Sequence, residues 1–244
     1  MNRVGVVEAV RGVWLATADL VLPTGCAGCG APAALVCRWC RGRLAGPAQV
    51  AWPRPPPAQL PTPWAVAAYE GPVRDVVLAH KERGRLGLVR PLGDALARSA
   101  AAAAGPPDGE PVVLVPAPSR RAAVRERGHD ATARTARRAA DVLRSGGRDV
   151  RVLPVLRMRS AVADQAGLSA AERARNMAGS LVVPRRLHRL VAGRRVLVVD
   201  DVVTTGATLA AAAVALRSAG AEVPAVAVVA ATQLRGHLVP GASS

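Results

Sequence analysis

The sequence predicts an α/β protein: a parallel sheet flanked by helices and preceded by a small four-cysteine ribbon. Three observations predict it. Short Val-rich runs alternate with longer Ala-rich stretches over residues 64–235, the pattern of buried parallel strands joined by crossover helices. Half of the 244 residues are hydrophobic, yet only 2% are aromatic and none is Phe, so the core must be built from Val, Leu and Ala. All four cysteines fall in one short stretch, Cys26-x2-Cys29-x7-Cys37-x2-Cys40. Residues 1–46 are expected to hold an N-terminal helix and the ribbon, 47–63 a linker, 64–235 the main domain and 236–244 a tail.

In chain order, Val6, Val10, Val13, Trp14, Leu20 and Val21 are spaced for an amphipathic helix. Glu8, Arg11 and Asp19 interrupt that stretch, which argues against a secretory signal. No run of about 20 apolar residues is free of charge, so no transmembrane helix is expected. The chain is therefore expected to be cytoplasmic. In that compartment thiols stay reduced, so two tandem C-x-x-C pairs read as a structural zinc site at Cys26, Cys29, Cys37 and Cys40. Two disulfides or a redox pair are the alternatives. Gly25, Gly28 and Gly30 let backbone amides turn toward the sulfurs. Trp39 is expected to pack on this knuckle. Seven prolines between residues 46 and 63 exclude helix and central strand and predict a semi-rigid linker.

Beyond the linker the elements alternate. Strands are expected over Ala65–Tyr69, Val112–Val115, Val150–Leu156, Val196–Val199 and Val223–Ala231, with Pro224 tolerated only near the start of the last. Helices are expected over Val73–His80, Leu88–Ala103, Asp130–Leu143 and Leu209–Ala219. Gly105-Pro106-Pro107 and Gly146-Gly147 act as stops, as does Gly220. Ser169 with Glu172 makes a capping box for one further helix ending at Gly179.

One stretch carries chemistry. Val196-Leu197-Val198-Val199 is followed by Asp200-Asp201-Val202-Val203-Thr204-Thr205-Gly206-Ala207-Thr208. It is a buried strand with two acids at its carboxyl end, then a hydroxyl-rich loop opening a helix. Ligands of open α/β sheets bind at the carboxyl ends of strands, and a helix N-terminus favours phosphate. Adjacent carboxylates repel phosphate but accept the paired hydroxyls of a ribose, and they help hold hydrated Mg²⁺. Acids for the sugar and hydroxyls for the phosphate describe a ribose 5-phosphate site.

The charge balance points outward. Thirty-three basic residues oppose 17 acidic ones, for a net +16, and only Lys81 among them is a lysine. A G+C-rich coding bias accounts for Arg over Lys, not for the excess of base over acid. Residues 120–159 hold twelve Arg against four acids, half of the net charge. A polyanion partner, a phosphate site and a solvated helix face all fit that segment. The scarcity of aromatic rings argues against modules that stack bases on them. His80, His129, His188 and His237 lack metal spacing and read as packing or surface residues. Lys81 reads as a phosphate partner or a solvated helix end.

The Asp200–Thr208 stretch resembles the ribose-phosphate signature of type I phosphoribosyltransferases. The wider chain resembles the ComF family, named for competence for DNA uptake. The resemblance rests on the four cysteines, Tyr69-Glu70-Gly71, Lys81-Glu82-Arg83-Gly84-Arg85 and Val115-Pro116-Ala117-Pro118 with Arg120-Arg121. It extends to Arg127-Gly128, Gln165, Leu168-Ser169, Glu172-Arg173 and Asn176. The chain departs from the usual pattern at Glu82, where an aromatic is common, at Ala117, in place of Val, and at Gly128-His129-Asp130-Ala131, in place of Gly-Phe-Asn-Gln.

The resemblance implies a type I phosphoribosyltransferase-like sheet. Asp200 and Asp201 would be the catalytic acids, taking the ribose hydroxyls of phosphoribosyl pyrophosphate. Thr204, Thr205, Gly206, Ala207 and Thr208 would cradle the 5-phosphate, with Val202 and Val203 completing the ribose-phosphate stretch. Ala117, Pro118, Ser119 and Arg120 would meet pyrophosphate with Mg²⁺, and the Arg-rich segments 120–127 and 157–175 would form a cover. Two function classes follow. One is an Mg²⁺-dependent transfer of the phosphoribosyl group to an unknown acceptor, linked to DNA uptake or nucleotide metabolism. The other is a non-catalytic module of the same fold that binds single-stranded DNA or a partner in DNA uptake.

Overall fold

The computed structural model describes residues 25–32, 34–106, 110–119, 124–125, 128–159 and 180–234. The expected N-terminal helix, Arg120 and Arg121, Arg127, the capping box at Ser169 with its flanking residues, His237 and the tail lie outside the described residues.

The described residues begin in the cysteine ribbon, whose second half is the short helix α1 (Arg38–Arg43). Strand β1 (Gln49–Val50) follows, then β2 (Thr62–Ala65) and β3 (Ala67–Ala68). Helix α2 (Gly71–Lys81) leads through a 3-10 turn, Leu86–Leu88, into α3 (Val89–Ala104). Strand β4 (Val112–Pro116), helix α4 (Ala131–Ser145) and strand β5 (Val150–Val152) come next. The two-residue strands β6 (Arg157–Met158) and β7 (Leu181–Val182) pair with each other. A 3-10 stretch, Arg185–Leu190, precedes β8 (Arg195–Val203), α5 (Ala207–Ser218) and β9 (Glu222–Ala231).

The main sheet has the order β1-β2-β9-β8-β4-β5, with β3 continuing along β9. Every pair is parallel except β1 with β2, which is antiparallel. Helices cover both faces, because the pleat sends alternate side chains to opposite sides. Leu114, Leu197, Val199 and Ala227 join the cluster under α2, α3 and α4. Val113, Val115, Val196, Val198 and Val226 join the cluster under α5. Small residues bring the layers close. A Cβ on Gly93 of α3 would lie 2.3 Å from the Arg138 side chain of α4, and Ser99 of α3 donates to the Val228 carbonyl at 2.6 Å.

The structure differs from the sequence reading in several places. Strand β8 continues past the expected end at Val199 to Val203, so the acids lie within the strand, and α5 starts at Ala207, two residues early. The strand expected over Ala65–Tyr69 starts earlier, at Thr62, and includes Pro63 although β2 has a neighbour on each side. Pro63 is tolerated because its position faces β1: its carbonyl accepts the Ala51 amide at 2.8 Å, and the missing N–H ends that two-residue ladder instead of breaking the pairing with β9. The strand expected over Val150–Leu156 stops at Val152, because Pro154 carries no donor. Val155 and Leu156 then turn into the core under α5, and the chain resumes pairing with β7. Trp39 does not pack on the knuckle. It is 47% exposed, with the Arg43 guanidinium 5.8 Å above its ring. Helix α1 buries Cys40, and the adjacent side chain, rotated about 100° around the axis, faces out.

Candidate functional site

The acids sit where parallel strands end. Strand β8 lies in mid-sheet between β9 and β4, and Asp200 and Asp201 fall near its carboxyl end. The strand then releases the chain at Thr204 and Thr205, which are exposed. Gly206 takes φ 76° and caps α5. A side chain at that position is both strained and obstructed: its Cβ would lie 2.8 Å from Leu60 and 3.2 Å from Pro53. The proline-rich segment thus packs against the base of the hydroxyl loop. Thr205 Oγ1 accepts the Ala207 amide at 3.4 Å. The first turn of α5 presents amides alongside the hydroxyls of Thr204, Thr205 and Thr208, a setting that suits an anion. Val203 is buried in the α5-side core and Val202 packs against the opposite cluster, so these two anchor the loop.

The two carboxylates have different surroundings. Asp201 faces α2, where Lys81 Nζ reaches its Oδ2 at 2.8 Å and its Oδ1 at 3.1 Å. Asp200 is half-buried, and its Oδ1 accepts the Asp201 amide at 2.8 Å. Burial, with the Asp201 carboxylate beside it, raises the Asp200 pKa well above the ordinary carboxylate value. Burial alone would lower the pKa of Lys81, but Asp201 and Asp200 outweigh it and leave the ammonium held above its usual value. What sequence reasoning missed is the partner of Lys81, the carboxylate of Asp201. Lys81 ends α2 in an ion pair with Asp201 and is not a merely solvated helix end. The signal available was its position at the last turn of a helix in an otherwise lysine-free chain. Which acid it meets is decided across 120 residues of sequence.

The β4 loop lies beside β8. Pro116 pairs with Val199, and the Ala117 amide donates to the Val199 carbonyl at 2.8 Å. Ala117 is therefore buried and fixed by its backbone, while Pro118 and Ser119 are part-exposed. Ser119 Oγ donates to Asp130 Oδ1 at 3.3 Å, and the same oxygen caps α4 by accepting the Ala133 amide at 3.1 Å. A cavity of about 330 Å³ opens here, with Pro118, Ser119, Arg125, Asp130, Arg157 and Met158 among its walls. Neighbouring His80 is buried, with Nε2 3.3 Å from Thr135 Oγ1, and its ring centroid lies 6.3 Å from that of His129. Burial lowers the His80 pKa. His188 Nε2 lies 3.0 Å from the Val183 carbonyl.

The four cysteines converge. Their sulfurs all lie within 4.8 Å of one another, and Cys29 and Cys37 are 3.6 Å apart. Tetrahedral zinc with Zn–S bonds of about 2.3 Å places sulfurs about 3.8 Å apart, so the donor set fits a single zinc ion. No disulfide joins them. The Cys37 amide donates to Cys26 Sγ at 3.3 Å, and the Cys40 amide to Cys37 Sγ at 3.5 Å. Burial raises the Cys26 thiol, but the amides of Cys37, Cys29 and Gly28 outweigh it and bring the pKa down to about 6. Burial and the neighbouring Cys26 push Cys40 up strongly. Four crowded thiolates repel one another, and a dication relieves that repulsion. A Cβ on Gly28 would lie 2.9 Å from Cys40 Sγ, so the turn admits only glycine without a shift. With four cysteine ligands such a site is closed and structural.

A model of the phosphoribosyl transferase domain matches residues 161–238. The match covers β8, the acid pair, the hydroxyl loop, α5 and β9, and excludes the cysteines and β4. No curated protein matches the chain. Among the described residues, no helix is long and apolar enough to cross a membrane.

Proposed function

We propose that the chain binds phosphoribosyl pyrophosphate with Mg²⁺ at Asp200–Thr208 and transfers the phosphoribosyl group to an acceptor. The observation that carries this reading is the acid pair at the end of a central parallel strand, leading through left-handed Gly206 into the N-terminus of α5. The phosphoribosyl transferase match spans that same stretch. In this reading the ribose hydroxyls donate to Asp200 and Asp201. The 5-phosphate accepts from the Thr204, Thr205 and Thr208 hydroxyls and the first amides of α5. Pyrophosphate lies toward Ala117, Pro118, Ser119 and Arg120, and the acceptor enters the adjoining cavity.

The bond between C1 of the ribose and the pyrophosphate oxygen breaks through an oxocarbenium-like state. The acceptor nucleophile forms its bond to C1 from the opposite face, and pyrophosphate leaves with the electron pair. Positioning and charge stabilisation supply the acceleration. Magnesium supplies charge neutralisation for the leaving pyrophosphate. The donor set suits a cation held mainly by the ligand's own oxygens, since the ammonium of Lys81 already neutralises Asp201.

The ComF resemblance supports a cytoplasmic protein with a zinc ribbon and a link to DNA uptake or nucleotide metabolism. The test is calorimetric titration of phosphoribosyl pyrophosphate with Mg²⁺ into zinc-loaded protein and into folded Asp200→Asn/Asp201→Asn. Charge-assisted hydrogen bonds contribute about 1.5–3 kcal/mol each, so the double variant should bind at least about tenfold more weakly. Equal affinity of the two proteins rules the site out.

A second reading has its own observation. Arg134 and Arg137 are exposed along α4, beside Arg144, which is paired with the exposed Asp141. The two open guanidiniums offer a small cationic face for single-stranded nucleic acid. Binding by that face weakens steeply with salt. Absence of binding to an oligonucleotide at low ionic strength removes this reading.

A further inference from the structure

The ribbon contacts both ends of α2, and the last residue of that helix pairs with Asp201. At its start, Arg43 pairs with Glu70 at 3.5 Å, and Gly28 packs so closely on Pro72 that a Cβ would lie 3.0 Å from it. Along its length Cys26, Val36, Cys40 and Leu44 share one buried cluster with Val73, Val76 and Val77. At its end the chain turns back through Gly84, at φ 65°, and the Arg85 amide donates to the Ala79 carbonyl at 3.2 Å. The Arg85 guanidinium then crosses to the ribbon, where Nη2 donates to the Gly25 carbonyl at 3.0 Å, next to the ligand Cys26. Lys81, the last residue of α2, sits between this turn and Asp201.

We propose that Lys81 is a positioning residue for the acid pair and that the four-cysteine ribbon, through Arg85, holds it against Asp201. The inference rests on the reading of Asp200 and Asp201 as the ribose-binding acids. By neutralising Asp201 and fixing its carboxylate plane, Lys81 removes one negative charge from beside a phosphate ligand. Repulsion between the acids and that ligand is thereby reduced. The ribbon's part is mechanical: its fold sets the place of the Gly25 carbonyl, which sets Arg85, which sets the turn carrying Lys81.

The chain's single lysine makes this measurable without any ligand. Zinc-loaded protein is treated with limiting acetic anhydride, and acetylation of the Lys81 peptide is followed by mass spectrometry. Only the neutral amine reacts. An ammonium held by Asp201 is protected, and loss of the pair exposes it. Asp201→Asn sets the fully released rate. Arg85→Ala, with zinc content and circular dichroism unchanged, is expected to raise the Lys81 rate about threefold or more toward that limit. Arg85→Gln, which keeps part of the stem and a donor, is expected to give a smaller rise. It also serves as the variant of record if the alanine form does not fold. Chelation of zinc from the wild type should raise the rate likewise. Rates unchanged in the arginine variants and on chelation overturn the proposal.

Titration with phosphoribosyl pyrophosphate and Mg²⁺ separates the two readings. Wild-type binding that weakens several-fold in the Arg85 variants supports both. Wild-type binding that is indifferent to Arg85, with unchanged acetylation, overturns the positioning role and keeps the site. No wild-type binding, together with accelerated acetylation in the variants, removes the ribose-phosphate reading and keeps the coupling of ribbon to Lys81.

Discussion

At Asp200 and Lys81, opposite charges and burial act on neighbouring groups with different outcomes. The Asp200 pKa is raised by burial and by Asp201, so the folded protein binds a proton there that the unfolded chain releases above about pH 3.9. Stability from this group is full below that pH and is lost as the pH rises through the folded value. Asp200→Asn should therefore flatten the fall of unfolding free energy above about pH 4, measured by urea denaturation at a series of pH values. Lys81 runs on the same sign at the alkaline end. Its contribution is full below about pH 10.4 and is lost above the folded value. Urea unfolding of Lys81→Met should lack that alkaline loss. An acid pair was legible from Asp200-Asp201 alone. Its division into a buried, lysine-bound Asp201 and a half-buried Asp200 was not, because the lysine arrives from another helix.

The clearest element is the unit of β8, its loop and α5, whose apolar run, acids and threonines were readable in sequence because local patterning dictates each part. The proline-rich segment was not readable in this way. Its prolines predict a spacer, whereas the structure also gives it β1, part of β2 and a packing role for Pro53 and Leu60 against Gly206. Gly206→Ala strains a left-handed position and strikes Leu60, and should cost about 1–3 kcal/mol in denaturant unfolding. Leu60→Ala should cost about 2–5 kcal/mol and should also weaken phosphate-ligand binding, because the loop loses its backing. The element α4 starts at Asp130, one of the departures from the family pattern. Asp130→Ala should cost about 1 kcal/mol as a lost cap and free Ser119, which a denaturant titration of the variant checks.

For the molecule as a whole, the ribbon and the α2–α3 layer share one buried cluster, so metal and fold are linked. Metal that binds only the folded ribbon contributes its binding free energy to folding. Removing zinc with a chelator should lower the melting temperature of the α2–α3 layer along with that of the ribbon, in one transition. Two separate transitions in a calorimetric scan, with only the smaller one sensitive to the chelator, would contradict this. The basic excess acts at the same scale. Some arginines are structural, such as Arg138 with Asp94 at 2.7 Å and Arg85 with Gly25, so net charge overstates the surface available to a polyanion.

The sequence by itself determined the alternation of strands and helices, the cysteine cluster and the acid-threonine loop. Each of these is written in short-range spacing: strand pleat, helical repeat, C-x-x-C geometry and helix-start chemistry. Tertiary structure alone decided the strand order, the seating of Pro63 and Leu60, and the meeting of Lys81 with Asp201 under the ribbon's grip. Those depend on contacts between residues far apart in the chain. Many distant partners satisfy the same local pattern, and only packing the two faces of the sheet selects among them.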